Sequence, residues 1–299
     1  MIHVAGLRKS FGARVAVDNI AFDVNAGESF GLLGPNGAGK TTTMHLLAGL
    51  LSPDDGTIEI AGGNDPTRKA VRRNIGIAPQ AFALYEDLSA EQNALFFGRL
   101  YGLSGAKLDQ HVSWALDFVG LNERERDLVR TFSGGMARRL NLACALVHNP
   151  PVLLLDEPMA GVDPQSRNLL LENIRHLKAH GRTIVYSSHY LSEAESLCDR
   201  VAILDEGRIL ALDPVDDLVA SYGGPQQVLV ELNGPLPELD KNEKLPGTFN
   251  GSTWNFQSED PLPYLARMRA RGAEFASVRV ETPGLEAVFL TLTGRRPRD

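Results

Sequence analysis

Gly34-Pro35-Asn36-Gly37-Ala38-Gly39-Lys40-Thr41 fits the phosphate-loop pattern without a mismatch. An apolar strand, Ser29 to Leu33, runs into this stretch, and a helix from Thr41 to Leu50 is expected to leave it. Glycines let the backbone curl so that its N–H groups point at phosphate oxygens. The positive end of the helix that follows adds to the attraction. In that frame Lys40 reaches the β- and γ-phosphates and the Thr41 hydroxyl binds Mg²⁺, with Thr42 beside them in the first turn. A plain glycine turn is the alternative, and the strand–loop–helix context decides against it. The ligands predicted are ATP and Mg²⁺.

Further along, Val152-Leu153-Leu154-Leu155-Asp156-Glu157 is an apolar strand ending in two carboxylates. In an open α/β sheet such a strand delivers its last residues to the edge where ligands bind. Asp156 is then placed to hold Mg²⁺, and Glu157 to take a proton from, or orient, the attacking water. Thr131-Phe132-Ser133-Gly134-Gly135-Met136 opens a helix with Leu140, Ala143 and Val147 on one face. A Ser-Gly-Gly helix start is a second candidate anion site, because N–H groups there point outward and nothing bulky blocks approach.

The remaining pattern alternates strand and helix. Strands are predicted at Ile2 to Leu7, Ala16 to Val24, Thr57 to Ala61, Asn74 to Ala78 and Thr183 to Ser187, with a helix at Gln165 to His180. From about Leu84 to His148 the pattern is mostly helical, with apolar residues recurring in Leu95, Phe96 and Leu100 and in Trp114, Ala115, Phe118 and Val119. The composition turns to a linker near Ser221-Tyr222-Gly223-Gly224-Pro225. Beyond it, Val228 to Leu232 and Val278 to Glu281 read as strands, and Leu262 to Arg271 and Leu285 to Leu292 as helices. The expected fold is an α/β P-loop NTPase with a mainly parallel sheet. It has an N-terminal β subdomain, a helical insertion (84–148) and a small C-terminal α/β domain. The domains would span 1–222 and 225–299.

The 299 residues carry 37 acidic and 30 basic side chains, a net charge of −7, which disfavours nucleic acid as the main partner. Arg295, Arg296 and Arg298 read as a solvated tail. Cys144 and Cys198 both fall in segments that read as helical and are expected to be buried thiols. No secretory signal is visible at Met1-Ile2-His3-Val4-Ala5, and no apolar run approaches the ~20 residues of a membrane helix. A soluble, cytoplasmic chain is the expectation.

The phosphate loop, the Ser-Gly-Gly-Met helix start, the Asp156-Glu157 pair and His189 occur in one fixed order. Together they resemble the ATPase subunit of an ATP-binding cassette (ABC) transporter over roughly the first three quarters of the chain. The resemblance implies more roles. Gln80 matches the loop glutamine that senses Mg²⁺ and contacts the membrane subunits, and Pro158 to Asp163 matches the D-loop. His189 matches the histidine that contacts the γ-phosphate, and Phe11 the aromatic that stacks on adenine. The chain departs from the family's usual Leu-Ser-Gly-Gly-Gln at Phe132 and Met136, keeping Ser133 and Gly135 while losing a side-chain amide. By the same resemblance, ATP is held between two ATPase subunits, in a homodimer or a mixed pair, on the cytoplasmic face of a separate multi-span permease. Glu281 to Phe289 resembles the tail of ATPase subunits from drug, polysaccharide or lipid exporters. The competing class is a soluble ABC-type ATPase acting on ribosomes or DNA. A single cassette, the absence of a sustained heptad run and the acidic balance disfavour it.

Overall fold

The computed structural model of the chain describes residues 1–63, 65–234 and 245–294. The arginines 295, 296 and 298 lie outside them. By compactness the chain divides after Val215 into two units.

The first unit opens with β1 (Ile2–Phe11), β2 (Arg14–Val24) and β3 (Ser29–Leu33), then α1 (Lys40–Leu47), β4 (Asp55–Ile60), α2 (Lys69–Arg72) and β5 (Ile75–Ala78). Three longer helices follow, α3 (Ala90–Leu100), α4 (Gly105–Phe118) and α5 (Gly134–Leu146). The unit ends with β6 (Val152–Asp156), α6 (Pro164–Ala179), β7 (Thr183–Ser188), α7 (Leu191–Leu197), β8 (Arg200–Asp205) and β9 (Arg208–Pro214).

Two sheets form. An antiparallel sheet runs β2-β1-β4, and a six-stranded sheet runs β5-β6-β7-β3-β8-β9. Every pairing in the larger sheet is parallel except the β8–β9 hairpin. Parallel strands covered on both faces need apolar residues at every position. β3 and β6 meet that demand, buried along their whole length. The core between the two sheets gathers Val4, Ile20, Phe22 and Ile58 with Phe30, Leu154 and Val185. Burying one such side chain contributes about 1.5–3 kcal/mol.

Several local expectations shift. β1 runs on to Phe11 and β2 starts at Arg14, because Gly12-Ala13 closes a two-residue hairpin with Gly12 at φ 59°. α1 stops at Leu47, ahead of Gly49 at φ 66°. Cys198 is not helical; it is the extended residue that ends α7, at φ −96° and ψ 142°. Both thiols are free and buried. In α3 the buried face is Ala90, Asn93, Ala94 and Gly98, while Phe96 and Leu100 are exposed. A Cβ on Gly98 would stand 2.4 Å from Leu108 Cδ1, so the Leu108 side chain from α4 occupies the space a larger residue would need.

The second unit contains α8 (Val215–Tyr222), β10 (Gln226–Leu232), β11 (Thr248–Asn250), β12 (Thr253–Ser258), α9 (Leu262–Ala270), β13 (Phe275–Glu281) and α10 (Leu285–Thr293). Its four-stranded antiparallel sheet runs β11-β12-β10-β13. Val228, Val230, Trp254, Phe256 and Met268 make its core.

Candidate functional site

β7 lies between β3 and β6, so three neighbouring parallel strands end side by side. Asp156 pairs with Ser187, and Leu33 with Ser188. The residues that follow, Gly34, Glu157 and His189, therefore leave the sheet at one edge. Glu157 turns off it with φ 46°, a left-handed conformation that costs a non-glycine residue about 1–3 kcal/mol. Its N–H is held by the Ser187 carbonyl (3.1 Å) and hydroxyl (3.0 Å), which maintains the turn.

A cleft of about 590 Å³ opens at this edge. Phe11, Asn36, Gly37, Gly39, Lys40, Thr41, Thr42, Gln80 and Glu157 line it. Phe11 stands at the end of β1 with half its surface exposed, available for stacking rather than consumed by the core. Gly34, Pro35 and Ala38 build the loop instead of lining the cleft. A Cβ on Gly34 would meet the Leu204 carbonyl at 2.3 Å, and the Pro35 carbonyl accepts the Ala38 N–H. Gly39 begins α1 at φ 106°, where a Cβ would lie 2.5 Å from the Ala16 carbonyl. Among the described residues no side chain caps α1, so its first N–H groups remain for an anion.

Glu157 is the electrostatic centre. Lys40 Nζ lies 3.3 Å from its Oε1, with both residues almost fully buried. The Gln80 amide donates to its Oε2 at 3.0 Å. His189 Nδ1 is 3.2 Å from the same oxygen, without the alignment of a hydrogen bond. Lys40 also donates to the Gly34 and Pro35 carbonyls at 2.8 and 3.2 Å. Burial pushes the Lys40 ammonium below its ordinary value, and Glu157 opposes that push.

Asp156 is 1% exposed. Its Oδ1 accepts from Ser187 Oγ at 2.5 Å and Thr41 Oγ1 at 3.4 Å, while Oδ2 is buried with no partner among the described residues. A buried orphan carboxylate oxygen beside a threonine hydroxyl suits a hard divalent cation. Gln80, the third residue expected at such a cation, sits against Glu157 in this conformation.

The other predicted residues gather elsewhere in the unit. Ser133 caps α5, its hydroxyl accepting the Met136 N–H at 3.2 Å, which leaves its own proton to donate. Asp163 caps α6 by accepting from Ser166 N–H at 2.9 Å, a bond that holds its carboxyl below the usual range. Gly134 and Gly135 lie against this second helix start, with the nearest atoms belonging to Gly161, Ser166 and Asp163. The structure thus brings the residues together as two groups, one around the cleft and one at the paired starts of α5 and α6.

Three contributors escaped sequence reasoning. Arg14 and Ala16 line the cleft, and Arg14 Nη2 approaches the Gly37 carbonyl at 3.4 Å. The hairpin that places Arg14 opposite Phe11 was signalled only by Gly12. Ser187 reaches Asp156 because β7 falls between β3 and β6, which no local pattern announces.

Residues 17–160 match the family described as ABC transporter. The linearmycin resistance ATP-binding protein LnrL of Bacillus subtilis is 39% identical, with 100% of both chains covered. The Nod factor export ATP-binding protein I of Sinorhizobium fredii is also 39% identical, over 100% of this chain and 87% of its own. Among solved structures, the ATP-binding subunit of an ABC transporter aligns with a TM-score of 0.68 at 33% identity, covering 75% of this chain and 93% of that one. A dimeric ATP-binding cassette bound to ADP and Pi shares the fold, with a TM-score of 0.66 at 24% identity over 72% of this chain and 98% of that one.

Proposed function

We propose that this chain, which belongs to the ABC transporter family and so binds and hydrolyses ATP, is the energising subunit of an export system and works as one of a pair. The observation that carries the site assignment is the convergence of Lys40, Gln80 and His189 on Glu157, beside the orphan oxygen of Asp156.

ATP enters with its adenine on Phe11 and its phosphates against the N–H groups of residues 36–42. Lys40 then exchanges Glu157 for phosphate oxygens. That exchange releases Glu157 from its strongest charge partner, so it can accept a proton from the attacking water. His189 meets the γ-phosphate, and Gln80 is free to turn towards Asp156. Thr41 and Asp156 would hold Mg²⁺, which would supply positive charge to offset the negative charge of the phosphates. Ser133, Gly134 and Gly135, with Asp163 behind them, present the α5 start to the ATP of a partner subunit. Met136 contributes its backbone N–H to the Ser133 cap, so the missing side-chain amide does not alter the cap.

The export assignment rests on relatives that match over the whole of this chain and over 87–100% of their own length, and that carry export or resistance names. No helix among the described residues is long and apolar enough to cross a membrane, and the reading places the membrane step in a separate permease. Phe82, two residues after Gln80, is exposed, as are Tyr85 and Phe96, whose rings meet at 4.8 Å; exposed apolar surface of this kind marks protein interfaces. Docking there would hold the subunit at the cytoplasmic face of the membrane.

Glu157→Gln tests the reading. The amide keeps the size but cannot take a proton, so turnover should fall by about 10²–10⁴-fold. With ATP and Mg²⁺ the variant should run at twice the monomer mass in size exclusion with light scattering. Turnover near the wild-type rate would reject Glu157 as the base.

A further inference from the structure

Glu193 is a buried carboxylate, 6% exposed, that plays no part in the cleft chemistry described above. Four donors satisfy it. Arg167 gives Nε and Nη2 to Oε1, at 3.0 and 2.5 Å. The hydroxyls of Tyr186 and Ser188 donate to Oε2, at 2.5 and 3.0 Å. α6, β7 and α7 are thereby tied at one point.

A buried ion pair is a poor source of stability, because desolvating the charges offsets most of their attraction. Its geometry suggests another use. The Ser188 hydroxyl that donates to Glu193 also accepts the Tyr190 N–H, at 2.9 Å. The Arg167 guanidinium lies 4.7 Å from the centre of the Tyr190 ring, which in turn sits 4.1 Å from the His189 ring. Both chain neighbours of His189 are therefore clamped by one ion pair. The imidazole itself has no well-aligned hydrogen bond among the described residues. What aims it at Glu157 is the backbone and the ring beside it.

We propose that Arg167 and Glu193 are positioning residues, which fix Ser188-His189-Tyr190 so that the imidazole faces Glu157 and the phosphate end of the cleft. The inference rests on the reading of His189 as the γ-phosphate contact. Arg167 suits the task because its planar fork takes one carboxylate oxygen with two N–H groups while its face stacks on Tyr190. Its backbone N–H also bonds the Asp163 carbonyl at 2.9 Å, in the first turn of α6. The same clamp thus ties the histidine to the helix start that backs the second anion site.

The test is a set of steady-state ATPase measurements on Arg167→Met, Arg167→Lys and Glu193→Gln, each made alone and with His189→Ala. Small displacements of a reacting group cost large factors in rate. Arg167→Met and Glu193→Gln should therefore lower kcat about tenfold while KM stays within about twofold. Arg167→Lys keeps the charge but loses the fork, and should recover part of the loss. It also serves if either of the other variants fails to fold. In the His189→Ala background none of the three should lower kcat further, because the group they position is gone. An equal loss with and without His189 overturns the proposal, since the pair would then act on the fold at large. Normal kcat in Arg167→Met and Glu193→Gln, beside an impaired His189→Ala, overturns the proposal alone. Normal turnover by His189→Ala overturns the reading of the histidine, and the proposal with it.

Discussion

Lys40 and Glu157 face one another across 3.3 Å with 4% and 6% of their side chains exposed. Burying two charges is tolerable only while each has its partner; removing one leaves the other uncompensated. Lys40→Ala therefore strips the cleft of its proposed phosphate contact and strands Glu157. Nucleotide affinity should fall at least 100-fold, about 2.7 kcal/mol by the usual conversion of affinity to free energy. A titration with a fluorescent ATP analogue checks this, and normal affinity would sink the assignment. His148 poses a different residue-level question. Its Nε2–H donates to the Ile75 carbonyl at 3.0 Å, its ring stacks on Tyr101 at 3.5 Å, and its Nδ1 is buried without a partner among the described residues. Burial lowers its pKa from 6.5 to about 4. The folded chain thus binds fewer protons than the unfolded chain between those values. The stability His148 confers is complete above pH 6.5 and is lost as the pH falls towards 4, by up to about 3 kcal/mol. His148→Phe keeps the stacking and removes the titration. Denaturant melts of that variant should lose less stability from pH 7 to pH 4.5 than those of the wild type; equal slopes would count against His148 as the cause.

The starts of α5 and α6 are where element packing meets function. A Cβ on Gly135 would lie 2.6 Å from Ser166 Cβ and 2.7 Å from Asp163 Oδ2. On Gly134 the nearest atom is the Gly161 carbonyl, at 3.6 Å. Gly135→Ala must push the two helix starts apart, an overpacking that costs about 1–3 kcal/mol. Gly134→Ala should melt like the wild type, whereas Gly135→Ala should melt about 2–10 °C lower. Equal melting temperatures would mean the helices separate freely. Elements of this kind were legible where one pattern dominated. β3, β6 and β7 are apolar runs between turn formers, and the loop after β3 has a residue code of its own. The hairpin β8–β9 left less trace. Its turn is Glu206-Gly207, with φ of 47° and 81°, and glutamate seldom signals a left-handed turn. β12 alternates Trp254 and Phe256 with polar residues, but it is short and follows the Gly251-Ser252 turn. On α3 the apolar spacing announced the helix but not its inner face, because small residues are buried there while larger ones face outward. Arg167 and Glu193 were invisible for a related reason: their meeting depends on three elements separated in the chain.

At the scale of the whole molecule, each of the two units holds its own core, and each holds one tryptophan. Trp114 sits on α4, 43% exposed, and Trp254 is wholly buried in the second unit, with its ring N–H on the Pro246 carbonyl at 2.9 Å. A ligand that binds only the folded form stabilises the unit that contains its site. At about 100 times the dissociation constant that stabilisation is about 2.7 kcal/mol. Every residue lining the cleft proposed for ATP belongs to the first unit. Trp254→Phe leaves Trp114 to report the first unit, and Trp114→Phe leaves Trp254 to report the second. With ATP and Mg²⁺ the Trp114 transition should rise by about 5–10 °C, as expected for a unit of this size. The Trp254 transition should stay where it was. Equal shifts in both would mean that the units unfold as one.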